Sequence, residues 1–130
     1  MKDLFKEIKD QSKNKFNTEF KISKDQVDTK GNLKLIILLA EIEESLKVPL
    51  NVLQNVAPFY EKVLKNIDFQ RIENALVDEL IEFECRFYRI NKRSVEIRVF
   101  VRTKQKNNKI KKVAKVSYIY QAVFSGKTAA

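Results

Sequence analysis

The stretch VDTKGNLKLIILLAEIEE, residues 27 to 44, decides how the rest of the chain can fold. Its first part, around Gly31, has the polar composition of a loop. Leucine, alanine and glutamate then favour a helix, which we predict over 33–47, with Pro49 interrupting it before a short second helical piece over 50–56. Residues 35–40 are all apolar, so this helix lacks a polar face for nearly two turns. Such a helix must be buried on all sides, and something must wrap around it.

Strands are predicted on both sides of this helix, because apolar residues alternate with polar ones. The first strand covers 16–22, and four more follow Pro58, the last of them running over 110–124. In the first of these four, Val63, Ile67 and Phe69 are predicted to share one side. The residues predicted to face inward on the last three strands are Ile81, Phe83, Cys85, Phe87, Val95, Ile97, Val99, Val101, Ala114, Val116, Tyr118, Tyr120, Ala122 and Phe124.

The order of elements predicts an α+β fold in a single domain over 1–130. Short turns rich in asparagine and lysine join the last three strands, which makes the sheet antiparallel. One face of such a sheet needs a cover, and the apolar helix is the natural one. We therefore predict a curved antiparallel sheet wrapped round one long buried helix. A polar lead-in over 1–15 and a flexible tail over 125–130 complete the chain.

Composition limits the classes of function. The chain is 44% hydrophobic and 33% charged, has no secretory signal, and its longest apolar run is too short to span a membrane. A single cysteine, Cys85, cannot form an internal disulfide, so we expect a reducing cytoplasm and an inert buried thiol. Histidine is absent, which excludes histidine-dependent triads and proton relays, and no metal site is predicted.

The order and spacing of motifs resemble hot-dog fold proteins of the 4-hydroxybenzoyl-CoA thioesterase-like class. Members of that class often carry D-x-x-G-H before the central helix and an acidic pair further along it. Here the corresponding residues are Asp28 to Asn32 and the pair Glu43 and Glu44. Asp78 falls where the class has the aspartate of a later turn. The resemblance covers most of residues 16 to 124 and is one of pattern, with few identities.

The resemblance also implies a site. Asp28 corresponds to the catalytic carboxylate, used as nucleophile or general base, and the Leu35 amide to the group that stabilises the oxyanion. Gly31 would let a ligand approach the helix start, and Glu43 would line a cleft between subunits. Asn32 stands where the class has its usual histidine. The acidic pair is also typical of a solvated helix end, and Gly31 is also typical of an ordinary turn that needs a positive φ.

The resemblance also implies a role in CoA binding for a basic turn. The turn that contains Lys92 and Arg93 is similar to the one that members of the class use near the phosphates of CoA. A solvated hairpin tip is the alternative interpretation of this turn. We read Tyr118 and Tyr120 as packing residues.

The function implied is hydrolysis of an acyl-CoA or acyl-carrier-protein thioester, with a degenerate site left open because of Asn32. No cofactor is expected beyond the CoA that forms part of the substrate. A homodimer or homotetramer is expected, because pairing of sheet edges would remove exposed strands. The alternatives are a non-catalytic acyl- or CoA-binding protein and a basic interaction domain. The last rests on a net charge of +9 and a lysine cluster over 103–112, but most of the charge is dispersed and we do not expect nucleic acid as the partner.

Overall fold

The structure is a computed structural model that describes residues 15–56, 61–90, 93–105 and 109–123. Strand β1 spans Phe16–Lys21, and a 3-10 turn spans Lys24–Gln26. Helix α1 spans Leu35–Val56. Strands β2, β3, β4 and β5 span Glu61–Arg71, Leu80–Ile90, Ser94–Lys104 and Ile110–Val123. They form one curved antiparallel sheet in the order β1-β3-β4-β5-β2, so the predicted fold class is confirmed.

Alternation along β3, β4 and β5 places the predicted residues in the core. All of the inward-facing residues predicted between 81 and 120 are buried. The other face of the same strands carries charged side chains. Glu84 and Glu96 on that face are also buried, because arginines lie across them. Lys92, Phe124, residues 1–14 and the predicted tail lie outside the described residues, as does the side chain of Ala122.

Strand β2 departs from the predicted face. Ile67 and Phe69 pair with the inward-facing Tyr118 and Val116 of β5, as expected for residues on the helix side. Val63 pairs with Gln121 and lies on the opposite face. A register shift between 64 and 66 is the cause, because a bulge inserts an extra residue and reverses which positions point inward.

Both predicted ends of the helix are wrong. The helix begins at Leu35, two residues later than predicted, and it continues through Pro49 as far as Val56. A proline removes one backbone hydrogen bond within a helix. Pro49 itself and Leu53 in the following turn are buried, and this burial offsets the loss.

The prediction that the helix is buried on all sides is also wrong. Leu38 and Ile42 are fully buried against the sheet, whereas Leu35, Ile36 and Leu39 are 46%, 74% and 38% exposed. The reason is the position of α1, which packs mainly against β3 and β1. The part of the sheet formed by β5 and β2 therefore leaves one flank of the helix uncovered. No helix among the described residues is long and apolar enough to cross a membrane.

Candidate functional site

A tight turn holds the carboxylate that the sequence singled out. Asp28 Oδ1 accepts hydrogen bonds from the backbone amides of Lys30 and Asn32, at 2.9 and 3.0 Å. The Asp28 carbonyl accepts the Gly31 amide at 3.0 Å. Gly31 has φ +82°, where a side chain is strained, and a β-carbon there would be 3.8 Å from Val77 Cγ1. The glycine is therefore required by the backbone of the turn, and space remains beside it.

These amides decide the protonation of Asp28. The Asn32 amide is the largest influence on the pKa of the exposed Asp28 carboxyl, and with the Lys30 amide and the charges of Lys30 and Arg71 it outweighs desolvation. The pKa of Asp28 is thus held below its usual value near 3.8. A carboxylate with a low pKa is a poor general base, but it is always ionised at neutral pH and able to attack as a nucleophile. Since Oδ1 is occupied by the turn, Oδ2 is the oxygen available for attack.

The turn is fastened to the start of α1 and to the segment that leads into β3. The Leu33 amide donates to the Ala75 carbonyl at 2.7 Å, and the Val77 amide donates to the Gly31 carbonyl at 3.0 Å. The Lys34 carbonyl accepts the Leu38 amide and so opens the helix. Leu35 is the first helical residue, and an amide in this position has no acceptor within the helix. Asp28 and the Leu35 amide thus belong to one end of the molecule.

Glu43 lies further along the helix, on its open flank. Eight residues separate it from Leu35, which corresponds to about 12 Å of helix. Ile36, Leu39 and Glu43 recur at helical spacing and share this flank. The pKa of Tyr118 is raised to about 12, mainly by burial and next by the charge of Glu43. The same two causes raise the pKa of Tyr120. The flank that carries Glu43 therefore faces β5.

Its sequence neighbour Glu44 points the other way. A small hollow beside Glu44 is also lined by Thr18, Phe20 and Phe83, so this side of the helix faces β1 and β3. Glu44 forms an exposed ion pair with Lys47 at 2.8 Å. The two glutamates predicted as a pair are thus separated by the helix, and only Glu43 is on the open side.

We call the space between the open flank and β2 the apolar groove. We define it by the exposed apolar residues Ile36 and Leu39 on α1 and Leu64 and Ile67 on the helix-facing side of β2. All four side chains are exposed, although each is apolar. Leu64 and Ile67 pair with Tyr120 and Tyr118, so they lie on the same face of the sheet as these buried tyrosines. The groove runs from the helix start toward Glu43.

The sequence did not reveal this groove, because it assigned the helix residues to a fully buried core. The signal that would have found it is the apolar content of β2, where positions 63, 64, 67 and 69 are all apolar on an edge strand. Cys85 is buried and free, and burial, its largest influence, raises the pKa of its thiol. This matches the inert thiol that was predicted.

The basic turn is not near Asp28 within one subunit. Arg93 follows the carboxyl end of β3, whereas Asp28 lies beside the segment that precedes β3. The 11 residues of β3 correspond to about 33 Å. Arg93 would reach a ligand at Asp28 only from another copy of the chain, and Lys92 lies outside the described residues. Within the described parts of the chain, no three acidic or cysteine side chains are close enough together to hold a metal ion.

No protein-family model matches the chain, and no curated protein matches its sequence. Solved structures match strongly. An acyl-CoA hydrolase from Staphylococcus aureus, in complex with butyryl coenzyme A, coenzyme A and coenzyme A disulfide, superposes with a TM-score of 0.71 at 13% identity. This match covers 86% of this chain and 67% of the hydrolase.

Two further structures agree. The 4-hydroxybenzoyl-CoA thioesterase from Pseudomonas sp. strain CBS-3 has a TM-score of 0.68 at 11% identity, with 85% of each chain covered. A hypothetical thioesterase from Streptococcus pneumoniae TIGR4, with coenzyme A, has a TM-score of 0.65 at 9% identity, covering 85% of this chain and 82% of that one. These identities are low, so the likeness is one of fold. The chain has the hot-dog fold that these thioesterases share.

Proposed function

We propose that this protein hydrolyses acyl-CoA thioesters, with the acyl chain bound in the apolar groove and the thioester at the start of α1. The observation that carries the proposal is the set of exposed apolar side chains along one flank of α1, the helix into which the Asp28 turn leads. Exposed apolar grooves in soluble proteins mark binding sites for ligands or partners. The hot-dog fold shared with acyl-CoA hydrolases supports the same choice of substrate.

Binding of the acyl chain is driven by burial of apolar surface. Ile36, Leu39 and Ile67 expose between 38% and 74% of their surface in the chain alone. Each methylene transferred from water to such a surface contributes about 0.8 kcal/mol. Glu43 lies further along this flank, where a polar carboxyl group opposes a longer apolar chain. The groove therefore favours acyl chains that end before Glu43.

The chemistry uses Asp28 as the nucleophile. Its Oδ2 forms a bond to the thioester carbonyl carbon, and the Leu35 amide donates a hydrogen bond to the oxyanion that develops. The C–S bond then breaks, the CoA thiolate leaves and takes a proton from water, and an acyl-aspartyl anhydride remains. Water adds to this anhydride, which releases the carboxylic acid and restores Asp28. No histidine is needed at any step.

The proposed assembly is a homodimer formed through β2. This strand is at one edge of the sheet, and Val63, Leu64 and Ile67 are exposed on it. A long apolar edge strand pairs readily with another strand, and a two-fold pairing would leave β2 with no free edge. The apolar groove borders β2, so a partner subunit paired with β2 would cover the open side of the groove. The partner would also contribute a second copy of the turn that contains Arg93.

A panel of acyl-CoA substrates of increasing chain length tests the function directly. Release of free thiol is followed with the wild-type chain, and turnover with a preference for one range of chain lengths is the expected result. Saturable binding of acyl-CoA without turnover would favour the non-catalytic alternative, which Asn32 motivates. Absence of both binding and turnover, with the protein folded, would contradict the proposal.

A further inference from the structure

The outer face of the sheet, on the side away from α1, carries a hollow that the proposed hydrolysis does not use. It lies over strands β3, β4 and β5, has a volume of about 380 Å³ and is lined in part by Phe100 of the middle strand β4. We call it the outer hollow. Its size is within the roughly 300–1,000 Å³ usual for small-molecule sites. Charged residues, Glu84, Arg86, Arg102, Lys112 and Lys115, line it together with Phe100.

The charge in the outer hollow is strongly positive, with four cationic side chains and one carboxylate. That carboxylate, Glu84, is 1% exposed and is already engaged. It accepts hydrogen bonds from Arg86 Nε at 2.5 Å and from Arg102 Nη2 at 3.1 Å. Arg102 is held also by Glu82. The two guanidinium groups are therefore fixed in place before any ligand arrives, which lowers the entropic cost of binding to them.

Lys112 and Lys115 of β5 add positive charge, and Lys115 also borders Asp68 of β2. Lys112 pairs directly with Arg102 across β4 and β5. Like charges in directly opposed positions destabilise a sheet. Within the described residues, neither Lys112 nor Lys115 has a carboxylate partner. An anion bound between the two strands would offset this like-charge repulsion.

An aromatic ring lies among these cations. Phe100 is partly exposed, with Arg86 Cζ at 5.6 Å and Lys115 Nζ at 6.0 Å from its ring centroid. Ile72 and Ile110 contribute exposed apolar surface beside it. A flat apolar centre with a cationic margin matches a ligand that has a planar ring and an anionic group on the same molecule.

We propose that the outer hollow binds a nucleoside phosphate. The base stacks on Phe100 and the Arg86 guanidinium, and the phosphate pairs with Lys112, Lys115 and Arg102. An inorganic anion would use the cations but not the ring, and a peptide of acidic residues alone has no planar group to stack on Phe100. The nucleoside phosphate has two sources, a free nucleotide and a residue of a single-stranded nucleic acid. The outer hollow is on the face of the sheet opposite the apolar groove, so the inference does not depend on thioester hydrolysis.

The test measures binding of two sets of probes to the whole chain by calorimetry or fluorescence anisotropy. One set is free nucleotides with each of the four bases, and the other is single-stranded homopolymers of about 12 nucleotides. Pyrophosphate and polyglutamate serve as anions without a base. The variants are Phe100→Leu, which removes the ring, and the double variant Lys112→Gln with Lys115→Gln. Lys24→Gln, an exposed lysine of the 3-10 turn, is the matched control.

We expect binding to weaken at least about fivefold in Phe100→Leu and in the double lysine variant, and to be unchanged in Lys24→Gln. Binding of free nucleotides identifies them as the source, and binding of the homopolymers alone identifies a nucleic acid strand. Absence of binding by both sets overturns the proposal, as does equal binding of pyrophosphate or polyglutamate, or binding that Phe100→Leu leaves intact. The Kd for an acyl-CoA, measured by the same calorimetry, must be the same in Phe100→Leu as in the wild type. Weaker binding by the variant would assign the hollow to the CoA tail and overturn the proposal.

Discussion

Two hydrogen bonds join Asp28 and Asn32 across their turn. The Asp28 amide donates to the Asn32 carbonyl at 2.8 Å, and Asp28 Oδ1 accepts the Asn32 amide at 3.0 Å. The second of these bonds is the main reason for the low pKa of Asp28. The carboxylate is therefore ionised throughout the neutral and mildly acidic range. Asn32 has a structural task in the turn, whatever part it takes in binding.

The first prediction concerns pH. Because the pKa of Asp28 is lowered and the chain contains no histidine, no essential group of the proposed mechanism titrates between about pH 5 and 8. The kcat/KM for acyl-CoA hydrolysis is expected to be flat over this range. Initial rates measured across buffers of constant ionic strength check it, and an acidic limb centred near pH 6 would contradict the assignment of Asp28 as nucleophile.

The second prediction concerns chain length. Glu43→Leu removes the carboxylate at the end of the groove and replaces it with apolar surface. We expect kcat/KM for acyl chains that reach position 43 to rise by about fourfold per added methylene, while short chains are unaffected. Glu44→Gln is the control, since Glu44 faces β1 and β3 on the other side of the helix. An unchanged chain-length profile in Glu43→Leu would show that the chain does not follow the groove.

The third prediction concerns assembly. Val63→Lys places a charge on the exposed β2 edge without altering a residue of the apolar groove. Charged side chains on an edge strand oppose pairing with another strand, so the dimer is expected to dissociate. Light scattering after size-exclusion chromatography should report a single chain of 15.3 kDa for this variant and twice that mass for the wild type. Ile110→Lys, an exposed apolar position on β5, should retain the wild-type mass, and a dimeric Val63→Lys would exclude β2 as the interface.

The fourth prediction concerns stability in acid. Burial raises the pKa of Glu84, but hydrogen bonds and charge from Arg86 and Arg102 outweigh it and hold the pKa below the usual 4.5. The unfolded state therefore binds the proton more readily than the folded one. The stability that Glu84 contributes is present above about pH 4.5 and is lost as the pH falls through the lower folded value.

Glu84→Gln should consequently lower the unfolding temperature at pH 7, and the gap from wild type should narrow toward about pH 3. Thermal unfolding followed by circular dichroism at both pH values measures it. Glu44→Gln, whose ion pair with Lys47 is exposed, should show little effect at either pH. A gap that stays constant with pH would mean that Glu84 acts through packing alone.

Much of this architecture is predictable from the sequence, because the two-residue alternation in β3 and β4 leaves one choice of buried face. Ile81, Phe83, Val95 and Val99 are all in the core as expected. The buried state of Glu84 is not predictable, since the side chains that cover it come from β3 itself and from β4. An ion pair between residues on different strands does not change the local alternation of polar and apolar residues, so the sequence does not reveal it.

The site is less predictable than the fold, for a related reason. Residues 35 to 40 are apolar on every side of the helix. Leucine and isoleucine occur both in a buried core and in an exposed apolar groove, so residue type alone does not distinguish the two. Only the position of α1 over β3 and β1 exposes Ile36 and Leu39. The separation of Glu43 from Glu44 follows from helical geometry once that position is known.

The role of Asp28 as the nucleophile is tested by a comparison of Asp28→Asn with Asp25→Asn. The asparagine oxygen at position 28 still accepts the Lys30 and Asn32 amides, so the turn is kept while the nucleophile is lost. Asp25 is an exposed aspartate of the neighbouring 3-10 turn and serves as the matched control. With the preferred acyl-CoA, we predict a loss of at least about a hundredfold in kcat for Asp28→Asn and none for Asp25→Asn, at equal unfolding temperatures. Full activity in a folded Asp28→Asn would mean that a group other than this carboxylate attacks the thioester.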